Sequence, residues 1–115
     1  MYGREPEGGD EDFRYGVDLF HAEYWWEAHV YFEKIWADAS DEAERELLQG
    51  LIQVCAALVK RRAGERRGEA KLREKALARL RRVEERAGGE LLGLSVPDIL
   101  QDVEAGRVPT LRLPA

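Results

Sequence analysis

His29 and Glu33, one helical turn apart, are the side chains in this sequence best placed to do chemistry. On a helical wheel both fall among Trp25, Trp36 and Trp26, inside the aromatic arc of their segment, while Lys34 points the opposite way. A His and a Glu at this spacing can touch. If they are buried, neither can be left without a partner. About twenty residues on, Glu46, Gln49, Gln53, Ala56 and Lys60 make one narrow stripe through a stretch that is otherwise Leu, Ile, Val, Cys and Ala. Gly50, Ala56 and Ala57 beside it would admit a second helix closely. Two amides facing a His and a Glu would satisfy several hydrogen bonds at once. Three readings stay open. His29, Glu33, Gln49 and Gln53 form an internal network that fixes helix register, or they line a small site for a polar ligand or metal, or the glutamines face solvent and never meet His29. As metal ligands His29 and Glu33 are weak candidates, because two donors fall short of the three or more that a site generally needs.

Other chemistry has less behind it. Cys55 lies in the apolar run from Val54 to Val59 and reads as a small buried hydrophobe. Ser40 and Ser95 suit a helix cap or a loop. There is no glycine-rich phosphate loop after a strand and no HExxH pair. Trp25 and Trp26 are adjacent, so at helical spacing one can enter the core while the other reaches a groove or a subunit interface. Between Lys60 and Arg82 stand eleven Lys/Arg against three Asp/Glu in a chain of net charge -5. That asymmetry makes the segment either a solvated helix exterior or an anion-binding or nucleic-acid-binding surface. It lacks interleaved aromatics for base stacking.

These residues must be positioned by helices. Phe13, Val17 and Phe20 recur at spacings of four and three, which predicts a first helix from Asp10 to His21. The aromatic-rich segment from Tyr24 to Ala39 is the second. Ser40, with Asp41 as the alternative, caps a third that runs to about Ala63 and is apolar on most sides at its centre, hence the most buried. Leu51, Ile52, Cys55 and Leu58 are its expected core residues. Gly64 and Gly68 bracket a turn. A fourth helix, about Glu69 to Ala87, carries Leu72, Ala76, Leu80, Val83 and Ala87 as its apolar stripe. Pro97 suits the first turn of a short fifth helix ending near Gly106. No strand alternation is evident. The fold class is therefore all-α, a compact bundle of four main helices plus a short C-terminal one. Residues 1–10 are expected to be a disordered acidic tail, residues 11–106 a single domain, and residues 107–115 an extended tail.

The composition, 44% hydrophobic and 36% charged, is too apolar for wholesale disorder. A single cysteine excludes an intrachain disulfide and favours a reducing compartment. No apolar run approaches a membrane span, and the acidic start lacks a signal-peptide layout. A cytoplasmic location without a membrane partner is expected.

The segment from Asp18 to His29, which contains Trp26-Glu27-Ala28-His29 and is followed by Glu33 and Trp36, resembles the bacterial and archaeal domain of unknown function 309 family. So do Leu48 to Leu58, with Leu-Gln-Gly-Leu-Ile-Gln at their head, and the pair Gly64 and Gly68. The resemblance covers roughly Phe13 to Val83 and implies a compact all-α fold with no established activity. Glu27, His29, Glu33, Gln49 and Gln53 match its pattern and are the candidate ligand-binding cluster. Where that pattern has an acidic residue after the histidine, this chain has Val30. Lys60 replaces a histidine, Gly64-Glu65 replaces a Gly-Asn pair, and Glu23 stands where a glycine is usual. These departures remove potential metal or acid–base ligands. The residues therefore favour a non-enzymatic ligand-binding or scaffold domain, a homo-oligomer, with cofactor and catalytic residues unassigned. The alternatives are a metal-assisted hydrolase using His29 and Glu33, and an anion or nucleic-acid binder using the Lys60 to Arg82 surface.

Overall fold

The computed structural model of the chain describes residues 5–114, with side chains from residue 11 onward. Five helices follow one another: α1 (Glu5–His21), α2 (Trp25–Asp38), α3 (Glu42–Arg62), α4 (Arg66–Ala87) and α5 (Val96–Glu104). The fold is all-α apart from one small hairpin. The backbone is already helical upstream of the start expected at Asp10. The free tail expected over Met1 to Asp10 lies outside the described residues in its first four positions and in all its side chains.

Each boundary has a local cause. Asp41, the second choice for the cap, is the N-cap of α3 and accepts a hydrogen bond from Glu44 N–H at 2.9 Å. Ser95 caps α5, with Pro97 in the first turn. The turn before α4 is tighter than the paired glycines suggest. Gly64 alone takes the left-handed conformation, at φ 76, and Arg66 to Gly68 are already helical. Gly68 earns its place differently, because a Cβ there would come within 3.2 Å of the Lys60 side chain. Between α4 and α5 the chain makes a two-residue antiparallel pairing, β1 (Glu90–Leu91) with β2 (Leu94–Ser95), in register Glu90 to Ser95. Strands this short leave no alternation to read in the sequence.

The core is continuous. Phe13, Val17 and Phe20 of α1 meet Trp25, Ala28 and Phe32 of α2 and the apolar centre of α3. Leu51 and Cys55 are fully buried and Leu58 is nearly so. α3 is the central helix, packed against α2 on one side and α4 on the other. The approach of α4 depends on Gly50, where a Cβ would meet Leu80 Cδ2 at 3.3 Å. After α5 the chain has no further helix or strand among the described residues, yet it is anchored to the bundle. Leu111 is buried, its N–H donates to His21 Nε2 at 3.0 Å, and Arg14 donates to the Pro114 carbonyl at 3.3 Å.

Candidate functional site

Residues at the α1–α2 turn open the site. Tyr24 N–H donates to Leu19 O at 2.9 Å and Glu23 N–H to Phe20 O at 3.0 Å, which closes α1 and leaves Glu23 at φ 68. This left-handed conformation is one that favours glycine, and the expected pattern has a glycine there. Arg62, at the end of α3, holds the strained residue by donating to Glu23 O at 3.0 Å and to its carboxylate at 3.2 Å. The same guanidinium lies over the Trp25 ring, 4.2 Å from its centroid. Trp25 is thus the tryptophan that enters the core, and its Nε1 is buried with no hydrogen-bond partner among the described residues.

Trp26 points the other way. It is 58% exposed and stacks face to face on His29, with centroids 4.8 Å apart and planes 14° from parallel. His29 Nε2 lies 3.6 Å from Glu33 Oε2. The histidine side chain is 16% exposed, but Glu33 is 54% exposed, so of the pair only His29 is largely buried. Glu33 sits at the rim of the aromatic arc rather than within it, and its carboxylate reaches water without exposing Trp25. His29 Nδ1 is buried and has no partner among the described residues, so it is not bonded to either glutamine. Glu27 is exposed.

The glutamine stripe belongs to a different partnership. Gln53 Oε1 accepts from Arg79 Nε of α4 at 3.1 Å, and Glu46 receives Arg79 at 2.8 Å and Arg82 at 3.1 Å. Gln49 is half-buried, with no hydrogen bond to His29. The four-residue network expected from the wheels therefore divides. His29 and Glu33 pair on α2 beside Trp26, while Gln53 and Glu46 face α4. The physical reason is that this face of α3 packs on α4, not on α2. There the Arg79 guanidinium offers Gln53 and Glu46 several donors in a fixed fork.

Glu46 is the best-held carboxylate of this second cluster. Burial pushes its pKa up, but hydrogen bonds from Arg82 and Arg79, together with their charges, bring it net below the ordinary glutamate value. A carboxyl depressed on folding contributes stability that is present above its unfolded pKa and lost as pH falls through its folded one. Glu46→Gln is expected to cost about 1–2 kcal/mol at neutral pH, allowing for the partly exposed arginines. The difference between wild type and variant should shrink as pH falls through and below the usual glutamate range. Urea titrations of both chains from neutral to acid pH test this, and a pH-independent difference would count against the ion-pair account.

Cys55 is buried, which raises its thiol pKa far above the ordinary value and leaves it unreactive. Among the described residues no group of three or more His, Cys, Asp or Glu side chains is placed to hold a metal ion. His29 and Glu33 remain two donors. The basic run is neutralised in part. Lys60, Arg61, Arg62, Arg79, Arg81 and Arg82 each pair with a carboxylate, leaving Arg66, Arg67, Lys71, Arg73 and Lys75 without an ion pair among the described residues.

With Trp26-Glu27-Ala28-His29 on α2 and Leu48 to Gln53 on α3, the comparison with known families is decisive. The model of a domain of unknown function, DUF309, matches residues 13–72. The chain belongs to this family. No curated protein and no solved structure matches the chain. The DUF309 match spans most of α1, all of α2 and α3 and the start of α4, so it contains His29, Glu33, Gln49 and Gln53. Arg79 and Arg82, which hold Glu46 and Gln53, lie beyond it, and no signal within the DUF309 segment could have named them. No helix among the described residues is long and apolar enough to cross a membrane.

Proposed function

We propose that this DUF309 chain is a non-enzymatic interaction domain of the cytoplasm that pairs with a second copy of itself through the outward face of α2. The observation that supports the reading is the exposure of Trp26, at 58%, on the same face as Val30, at 48%. Large exposed apolar side chains that share one face are a signature of association, and tryptophan is the residue most enriched at binding hot spots.

Trp26, Val30, Glu33 and Ala37 follow one another at spacings of four, three and four, and all four are exposed. That is the seam pattern of a helix meant to meet another helix. In an antiparallel pair, large Trp26 falls opposite small Ala37, and Glu27 comes within reach of Lys34. His29 backs the seam, since its stacking on Trp26 limits the indole's freedom before association.

Sedimentation velocity of the full chain over a range of concentrations tests the reading. The wild type should show a dimer. Trp26→Ser should weaken it by roughly thirtyfold or more, as removal of a hot-spot tryptophan does. The variant should remain folded by circular dichroism, because the side chain is exposed. A wild type that sediments as a monomer at every concentration rules the proposal out, and so does a serine variant that dimerises as well as the wild type.

A further inference from the structure

The α2 seam is too small to hold a stable pair by itself. α2 has 14 residues, whereas a standard interface uses about 20–30 residues a side. A neighbouring element must contribute, and the helices packed against α2 are α1 and α3. α1 is a poor extension, because Glu11, Arg14 and Asp18 on its outward face are charged and exposed. Charged side chains are depleted at the centre of interfaces. α3 differs. From Leu47 to Val59 it carries no Asp, Glu, Lys or Arg, in a chain that is 36% charged. From Leu47 to Leu58 every residue is buried except Gln49, Gln53 and Ala56, which are half-buried. Through these three, at spacings of four and three, the centre of α3 reaches solvent, on the face where a solvated helix ordinarily carries charge. Gln53 is turned to Arg79. Gln49 makes no hydrogen bond among the described residues, so its amide keeps two donors and an acceptor for another partner.

The contacts between α2 and α3 set the level of this stripe. The Arg45 guanidinium lies over the Trp36 ring at 4.4 Å and that of Arg62 over Trp25 at 4.2 Å, so the two helices run antiparallel. With Trp26 opposite Ala37, the midpoint of the α2 seam falls between Tyr31 and Phe32. That level on α3 lies near Ile52 and Gln53. A two-fold axis crossing both helices there sets α3 antiparallel to the α3 of a second copy, as it does α2. Gln49 then falls opposite the second copy's Ala56, the same large-against-small match that Trp26 makes with Ala37. We infer that the pairing surface is the two-helix face of α2 and α3, with Gln49 and Ala56 covered by a second copy of this chain. The inference rests on the pairing through α2 proposed above and extends it.

Cross-linking and sedimentation of the full chain test it. Chains carrying Gln49→Cys are mixed with chains carrying Ala56→Cys and mildly oxidised. A disulfide-linked heterodimer should form, while either variant alone should link poorly, because each position stands about 10 Å along the seam from its own copy. The native Cys55 is buried and does not compete. In sedimentation velocity Gln49→Lys should weaken the dimer by about tenfold or more, since pairing would then bury an ammonium group on each side. Tyr15→Ser, on α1, should leave the dimer unchanged. Gln49 makes no bond in the fold, so circular dichroism should show Gln49→Lys folded. If the wild type dimerises but the mixed cysteine chains do not link, the inference is overturned and the α2 pairing stands. A Gln49→Lys chain that dimerises as tightly as the wild type has the same meaning, and so does equal weakening by Tyr15→Ser. A wild type that stays monomeric overturns both.

Discussion

Leu51→Ala should remove about 2–5 kcal/mol of stability, a large fraction of what a domain of this size has to spare. Leu51 is fully buried on the helix that α2 and α4 both pack against, so no surface element can collapse into the void without moving a second one. The cost therefore belongs at the upper half of the range. Guanidinium chloride titration monitored by circular dichroism reads it directly. A midpoint close to that of wild type would mean that α3 is peripheral, contrary to the packing described above.

A second large effect lies at the α1–α2 contact. Phe32 is fully buried, its ring is 5.7 Å from that of Phe13, and a Cβ on Gly16 would stand 2.9 Å from its Cε1. Phe32→Ala is expected to cost about 3–5 kcal/mol. Gly16→Ala alone should destabilise, despite alanine's better helix propensity, because the methyl must displace a ring that is packed on every side. In the Phe32→Ala background the same change should become neutral or favourable, since the added methyl then fills part of a void. A double-mutant cycle by denaturant titration measures the coupling, and strict additivity would show that Gly16 does not govern how closely α1 approaches.

The helices were legible in the sequence because each keeps an apolar period of 3.6 residues over several turns. Leu72, Ala76, Leu80 and Val83 on α4 are an example, and three of the four are buried. The Trp25/Trp26 divergence was also legible, being a property of one helix. What a wheel cannot show is which neighbour lies on which side. The periodicity of α3 shows that Glu46, Gln49 and Gln53 share a stripe, but not whether α2 or α4 lies beside it. The wheels therefore allow His29 to face the glutamines, whereas Gln53 in fact meets Arg79. The turn at Glu23 was partly legible, since a glycine is expected there, and φ 68 supplies the cause.

The bond from Leu111 N–H to His21 joins residues ninety positions apart, and Arg14 to Pro114 spans a hundred. During synthesis α1 and α2 emerge first and can pair early, because their contacts are local. The end of α1 cannot acquire its last partner until Leu111 has cleared the ribosome. Until then the core lacks the Leu111 side chain, which is fully buried in it. A chain halted before Leu111 is therefore expected to be less stable than one that includes it, which thermal unfolding would read.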